Sequence, residues 1–173
     1  INTPDESTNV YLDRFVKSIR ETPSLEDYPI QLLTRKYPNG LPKSLADTGV
    51  VHYNGVAEDN ANLKAVNVSS AKYIIILAKD PANPLADSLT FDVLSRIKQI
   101  DTQALIVAEC SFDNNRDRLA NAGATVVIRP VRAYPELVVR SMEAPGTETV
   151  MENLFRHDGD RMARIDCSFK NIV

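Results

Sequence analysis

Apolar positions along the chain follow two spacings, and each spacing predicts a different secondary structure. Between residues 7 and 21 apolar side chains recur at i, i+3, i+4 and i+7, the pattern of one face of a helix. Residues 71–78 instead contain three consecutive isoleucines without polar alternation, which is typical of a parallel strand covered on both faces. Both kinds of segment recur, so we expect strands and helices to alternate.

Short apolar runs and helical spacings together predict the order of the elements. Strands are predicted at residues 30–34, 50–53, 71–78, 104–108, 125–128 and 162–167, and further helices at 62–68, 86–100, 116–122, 135–142 and 149–155. This alternation predicts an α/β fold, a Rossmann-like doubly wound parallel sheet with helices on both faces. Ligands bind such sheets at the carboxyl ends of the strands.

The domain organisation follows from where this alternation starts and stops. We expect a Rossmann-like lobe over residues 1–155 with most of its first strand missing, because residues 1–2 resemble only the tail of a strand. Residues 156–173 are expected to begin a C-terminal extension or a second subdomain. Both ends are therefore expected to be cuts through a larger protein.

Composition excludes several classes of protein. The chain has 173 residues, with 20 Lys+Arg against 23 Asp+Glu and a formal net charge of -3, which excludes nucleic-acid binding by bulk positive charge. Its longest apolar run falls far short of the roughly 20 residues that a bilayer span requires. The two cysteines form no CxxC or Cys/His cluster, which favours a reducing, cytosolic setting.

Motifs of catalysis and of dinucleotide binding are missing. A GxGxxG loop would let the backbone approach a pyrophosphate, but the segment in that place has no glycine and carries Asp5 and Glu6. The basic pair Arg35 and Lys36, after the first complete strand, is either a phosphate contact or solvated surface charge. His52 is expected to be a hydrogen-bonded strand residue, and HExxH, GxSxG and P-loop motifs are absent. We therefore expect no catalytic residue and no enzyme.

Several stretches resemble the regulator of potassium conductance (RCK) domain, also called the TrkA N-terminal domain. Residues 55–71 are similar to the family's Gly-Asp-Ala loop, its following Leu and Ala, and the Ala that opens the next strand, although Val56 replaces the usual Asp. Residues 118–130 are similar to its Leu-x-x-x-Gly-Ala-x-x-Val-Ile-x-Pro element, and residues 87–101 to the helix before its fifth strand. The resemblance covers about residues 30–155.

This resemblance implies the cytoplasmic regulatory domain of a potassium channel or potassium transport system. Lobes of that family dimerise within a larger homo-oligomeric gating ring, which couples ligand or ion binding to K+ flux through attached transmembrane pore or transporter segments. No nucleic-acid partner is expected. The alternative that the residues leave open is a diverged NAD(P)-dependent Rossmann oxidoreductase.

The strand-end rule and the resemblance together select the candidate site residues. The ligand-binding candidates are Arg35, Asn54, Gly55, Lys79, Asp80 and Glu109. Each lies at or just after the end of a predicted strand, where a doubly wound sheet holds its ligand.

The resemblance also implies a metal site. Calcium-gated members place one carboxylate early on the helix after the fourth strand and another at the end of the fifth, and Asp87 and Glu109 match these positions. Ser111 occupies the position at which a further acidic side chain would supply another calcium ligand. The alternative is that Glu109 accepts hydrogen bonds from nearby amides. The cofactor is unknown, with Ca2+ as the first candidate and NAD or another adenine nucleotide as the second.

Overall fold

The structure divides into two compact units. It is a computed structural model and describes residues 1, 9–80, 83, 85–129, 139, 142–146, 149–150 and 153. The units are Ile1–Ala133 and Tyr134–Val173. The predicted domain boundary at residue 155 and the predicted strand at 162–167 lie outside the described residues, so both stay predictions.

Five strands alternate with five helices in the described part of the first unit. In chain order they are α1 (Asn9–Arg20), β1 (Gln31–Thr34), α2 (Lys43–Ala46), β2 (Val51–Asn54), α3 (Asn60–Ala65), β3 (Tyr73–Ile76), α4 (Ala86–Lys98), β4 (Leu105–Glu109), α5 (Arg116–Asn121) and β5 (Val126–Ile128). Two 3-10 turns lie at Val68–Ser70 and Asp113–Asn115. The predicted Rossmann-like α/β fold is confirmed.

All the observed strand pairs are parallel. β1 pairs with β2, and β3, β4 and β5 follow one another in a second group. The register places Thr34 opposite Asn54 and Glu109 opposite Ile128, so paired strands end at the same level. Parallel pairing therefore gathers the carboxyl ends of neighbouring strands, where the candidate residues lie.

Adjacent residues of β1 enter two different cores, because successive side chains of a strand point to opposite faces. Leu32 packs with Leu12 of α1 and Leu45 of α2. Leu33 packs with Ile76 of β3 and with the apolar residues of α4 and α5. Helices therefore cover both faces, as the consecutive isoleucines predict.

The second unit is described at only a few positions. Val139, Met142 and Val150 are helical, in agreement with the helices predicted at 135–142 and 149–155, and their side chains are exposed. Among the helices of the described part of the chain, none has the length and apolar character to cross a bilayer.

Candidate functional site

The first group of candidate residues lies where β1 and β2 end, and we call it the β1/β2 end (Arg35, Asn54 and Gly55). Arg35 and Asn54 are exposed, whereas Gly55 is buried. The Gly55 N–H donates to the carbonyl of Thr34 at 3.4 Å. A Cβ at residue 55 would lie only 2.7 Å from Asn62 Nδ2, so any larger residue there would displace the Asn62 side chain.

Beneath this end, His52 has the structural role that its strand position predicts. His52 Nε2 lies 2.9 Å from the carbonyl oxygen of Thr34. Its ring meets the edge of Tyr37, whose hydroxyl donates to Asn9 Oδ1. Burial, with a smaller contribution from Asp13, raises the pKa of Tyr37. His52 is therefore a hydrogen-bonded strand residue, as expected.

The second group lies where β3 and β4 end, and we call it the β3/β4 end (Lys79, Asp80 and Glu109). Glu109 is buried, and its Oε2 accepts from the Ala78 N–H at 2.8 Å. This bond joins the ends of the two strands through a side chain. Lys79 is exposed and Asp80 is half-buried.

Asp87 lies beneath the β3/β4 end, in the first turn of α4, and is only 1% exposed. Its Oδ1 accepts from the Ser111 N–H at 2.7 Å. Its Oδ2 accepts from the Phe112 N–H at 3.0 Å and from Asn115 Nδ2 at 2.9 Å. A carboxylate is also favoured near a helix N-terminus, so three donors and the helix dipole together stabilise this buried charge.

The same carboxylate affects the neighbouring thiol. Cys110 is fully buried, with Sγ 3.7 Å from Asp87 Oδ2 and 3.0 Å from the carbonyl oxygen of Phe112. Burial, and next the negative charge of Asp87, raises the pKa of Cys110 from 9.0 to about 11. The thiol is therefore neutral at physiological pH and a poor nucleophile.

The metal hypothesis for Asp87 and Glu109 stays a prediction, and the geometry offers a different explanation for their burial. Calcium takes six to eight oxygen ligands, but both Asp87 oxygens already accept hydrogen bonds. Within the described residues no cluster of three or more His, Cys, Asp or Glu side chains could hold a metal ion. Asp113 instead pairs with Arg129 at 3.1 Å and lies 3.8 Å from Arg116.

Sequence patterns located the candidate residues but missed the loop that binds Asp87. Residues 110–115, here called the β4–α5 loop, supply three nitrogen donors to Asp87 and also the longer contact of the Cys110 thiol. None of these donors was predicted from the sequence, in which Ser111 was considered only because it occupies the place of a further acid. Ser111 Oγ is buried and has no hydrogen-bond partner among the described residues.

Comparisons with known proteins identify the fold. No family model and no curated protein matches this chain. The human SLO3 gating ring superposes with a TM-score of 0.65 at 16% identity, over 95% of this chain and 30% of that chain. GsuK bound to ADP gives 0.59 at 16% identity, over 98% and 48%, and the GsuK RCK domain gives 0.53 at 21%, over 67% and 23%.

This chain thus has the fold of an RCK domain, and the resemblance found in the sequence is confirmed at the level of the fold. It spans between about a quarter and a half of the length of each of these neighbours.

Proposed function

We propose that this chain is an RCK-type regulatory lobe, the cytoplasmic part of a potassium channel or potassium transport system. The observation that carries the proposal is the similarity to a gating ring over 95% of the chain. Such a lobe makes and breaks no bond. It holds a ligand at the strand ends and changes the relative stability of two ring conformations, which requires different ligand affinities in the two.

An adenine nucleotide is the ligand class that we propose for the strand ends. A neighbour of the same fold is a complex with ADP. Arg35 and Lys79 of this chain are exposed, and neither forms an ion pair within the described residues. Uncommitted cations at strand ends suit phosphate groups. The predicted contacts with Asn54, Gly55, Asp80 and Glu109 belong to the same proposal.

Calcium at Asp87 and Glu109 is the weaker ligand hypothesis. To bind calcium, Asp87 would have to release donors of the β4–α5 loop, and the described residues supply too few further acidic ligands. A calcium titration nevertheless belongs in the same experiment, because it separates the two ligand classes directly.

Assembly and location are part of the same proposal. We infer a homo-oligomer, dimeric within a larger ring, connected to transmembrane pore or transporter segments. Sedimentation of the full chain with and without ADP measures whether it associates and whether the ligand changes that association.

The proposal is tested by calorimetric titration of the chain with ADP, NAD and CaCl2. We expect ADP to bind, and we expect Arg35→Gln and Lys79→Gln to weaken its affinity about two- to fivefold, the range of exposed charge pairs. Lys64→Gln is the matched control, since Lys64 is an exposed cation on α3. No binding of any of these ligands would contradict ligand sensing. Cofactor-dependent hydride transfer would favour the oxidoreductase alternative instead.

A further inference from the structure

We propose that Asp87 is a positioning residue of the β3/β4 end. Its carboxylate holds the β4–α5 loop, and through that loop it holds the Glu109 side chain against the end of β3. This inference rests on the proposed function in that the β3/β4 end forms part of the ligand crevice.

Both oxygens of the Asp87 carboxylate are engaged by the β4–α5 loop. Both of its oxygens accept hydrogen bonds from that loop, two of them from the backbone N–H groups of Ser111 and Phe112. Asp87 is almost completely buried. Because Ser111 is buried, water cannot readily replace Asp87 as the partner of its N–H, so the start of the loop depends on this carboxylate.

The β4–α5 loop begins directly after Glu109, the last residue of β4. Cys110 directly follows Glu109, and its N–H donates to the carbonyl of Ile128 at 2.8 Å, which fixes the loop start against β5. The next two residues are those that Asp87 binds. The backbone of Glu109 is therefore held from its C-terminal side by Asp87 and by β5.

The Glu109 side chain connects the end of β4 to the segment that carries the candidate ligand residues Lys79 and Asp80. Glu109 accepts from the Ala78 N–H at 2.8 Å, and Ala78 directly precedes Lys79 and Asp80. Hydrogen bonds at the two ends and the covalent backbone of residues 109–111 between them thus connect the start of α4 to Ala78, just after β3. Glu109 makes the side-chain bond from β4 to the segment that carries Lys79 and Asp80, and we infer that Asp87 acts on this segment through it.

The test uses the full chain with Asp87→Asn, which keeps the side-chain shape but replaces one acceptor oxygen by a donor. Asp92→Asn is the matched control on the same helix, because the Asp92 carboxylate is 44% exposed and pairs with Arg96 at 2.8 Å. Amide hydrogen exchange is measured residue by residue by NMR. We expect exchange at Ser111 and Phe112 to rise about tenfold or more in Asp87→Asn and not in Asp92→Asn.

The decisive residue is Ala78, whose N–H donates to Glu109 and not to Asp87. A purely local structural role would leave its exchange unchanged, whereas a positioning role should accelerate it severalfold. Leu119→Ala serves as a stability control, because Leu119 is fully buried on α5 and makes no bond to Asp87. If Ala78 is unchanged in Asp87→Asn, or is accelerated equally in Leu119→Ala at matched stability, the inference is overturned.

A ligand measurement separates this inference from the proposed function. We expect Asp87→Asn to weaken ADP binding severalfold and Asp92→Asn to leave it unchanged. Absence of ADP binding to the unmodified chain would count against the nucleotide proposal alone, and Ala78 exchange would still decide the positioning role. Normal ADP binding and normal Ala78 exchange in Asp87→Asn would overturn the positioning role alone.

Asn115→Ala provides a milder variant in case Asp87→Asn does not fold. It removes one donor from Asp87 Oδ2 and leaves both backbone donors in place. The expected pattern is the same, with smaller accelerations at Ser111, Phe112 and Ala78. Acceleration confined to residues 111–115 would contradict transmission to β3.

Discussion

The β1/β2 end and the β3/β4 end follow the same rule of the fold but differ in how their polar groups are used. At the β1/β2 end, Arg35 and Asn54 are exposed to solvent. At the β3/β4 end, Glu109 is buried and bonded to Ala78, and Asp87 beneath it is bonded to a loop. A position at a strand end thus brings a polar group to the edge of the sheet where ligands bind. The burial of that group then decides whether it can contact a ligand.

The difference lies between exposed and buried polar groups, and Lys79 at the β3/β4 end belongs with the exposed ones. Exposed cations gain little from the fold and remain available for an anionic ligand, whereas a buried carboxylate must be satisfied internally. We expect substitutions of the exposed residues Arg35 and Asn54 to change binding with little effect on stability. Substitutions of the buried acids should change stability first.

The largest expected effect is that of Asp87→Ala. This change leaves the Ser111 and Phe112 N–H groups and the Asn115 amide without their acceptor. We expect the free energy of unfolding to fall by about 2–3 kcal/mol, since the Ser111 N–H is a buried donor that would cost about 1–3 kcal/mol unsatisfied, whereas the Phe112 N–H and the Asn115 amide are partly exposed and can bond to water. Urea unfolding measures it, with Arg35→Ala as the exposed control. A loss under about 1 kcal/mol would show that the loop finds other acceptors.

The next effect concerns the thiol of Cys110. With its pKa raised to about 11, Cys110 carries about a hundredfold less thiolate near pH 8 than a thiol at the ordinary 9.0. We expect iodoacetamide to label folded Cys110 at least that much more slowly than the urea-unfolded chain, as followed by peptide mass spectrometry. Equal rates would contradict the burial of this thiol.

The same pKa shift has a consequence for stability at alkaline pH. Because the folded-state pKa of Cys110 lies above the unfolded value, its contribution to stability is complete below pH 9.0 and is lost as the pH rises to about 11. Cys110→Ala should therefore show a smaller loss of stability over that interval than the unmodified chain. Parallel pH curves for the two would argue against the shift.

Much of the fold was predictable because each long element has its own local signal. The spacing of α1 and the consecutive isoleucines of β3 depend only on neighbouring residues. α2 was missed because Lys43–Ala46 is a single turn, too short to show periodicity. Local sequence patterns therefore predict the long helices and the strands better than the short helical turns that connect them.

The positions of the candidate residues could be predicted from the sequence, but the hydrogen-bond partners of Asp87 could not. The strand-end rule indicates where Glu109 lies, and the family resemblance indicates Asp87. The partners of Asp87 are backbone N–H groups 24 and 25 residues away, at Ser111 and Phe112. Every non-proline residue has such a group, so nothing in the sequence marks these two as donors. Only the folded loop shows that the carboxylate is already occupied.

A smaller effect is expected for Gly55→Ala at the β1/β2 end. The new Cβ would lie 2.7 Å from Asn62 Nδ2, which itself donates to the carbonyl of Val56 at 3.0 Å. Moving the Asn62 side chain sacrifices that bond, so we expect a loss of about 1–2 kcal/mol. In the double variant with Asn62→Ala, the cost of Gly55→Ala should nearly vanish. Additive losses would mean that the strain lies elsewhere.

The smallest expected change in stability is that of Arg35→Gln. The salt dependence of its effect on ADP affinity, however, gives the clearest contrast with the effect of Asp87→Asn. Arg35 is exposed and makes no ion pair within the described residues, so the free energy of unfolding should stay within about 0.5 kcal/mol of that of the unmodified chain.

The proposed contribution of Arg35 to ADP binding should be screened by salt, because exposed charges interact through water. The difference in ADP affinity between this variant and the unmodified chain should therefore shrink as KCl rises from about 0.05 M to about 0.5 M. The effect of Asp87→Asn acts through buried hydrogen bonds and should persist across that range. If both effects decline equally with salt, burial does not distinguish the two ends.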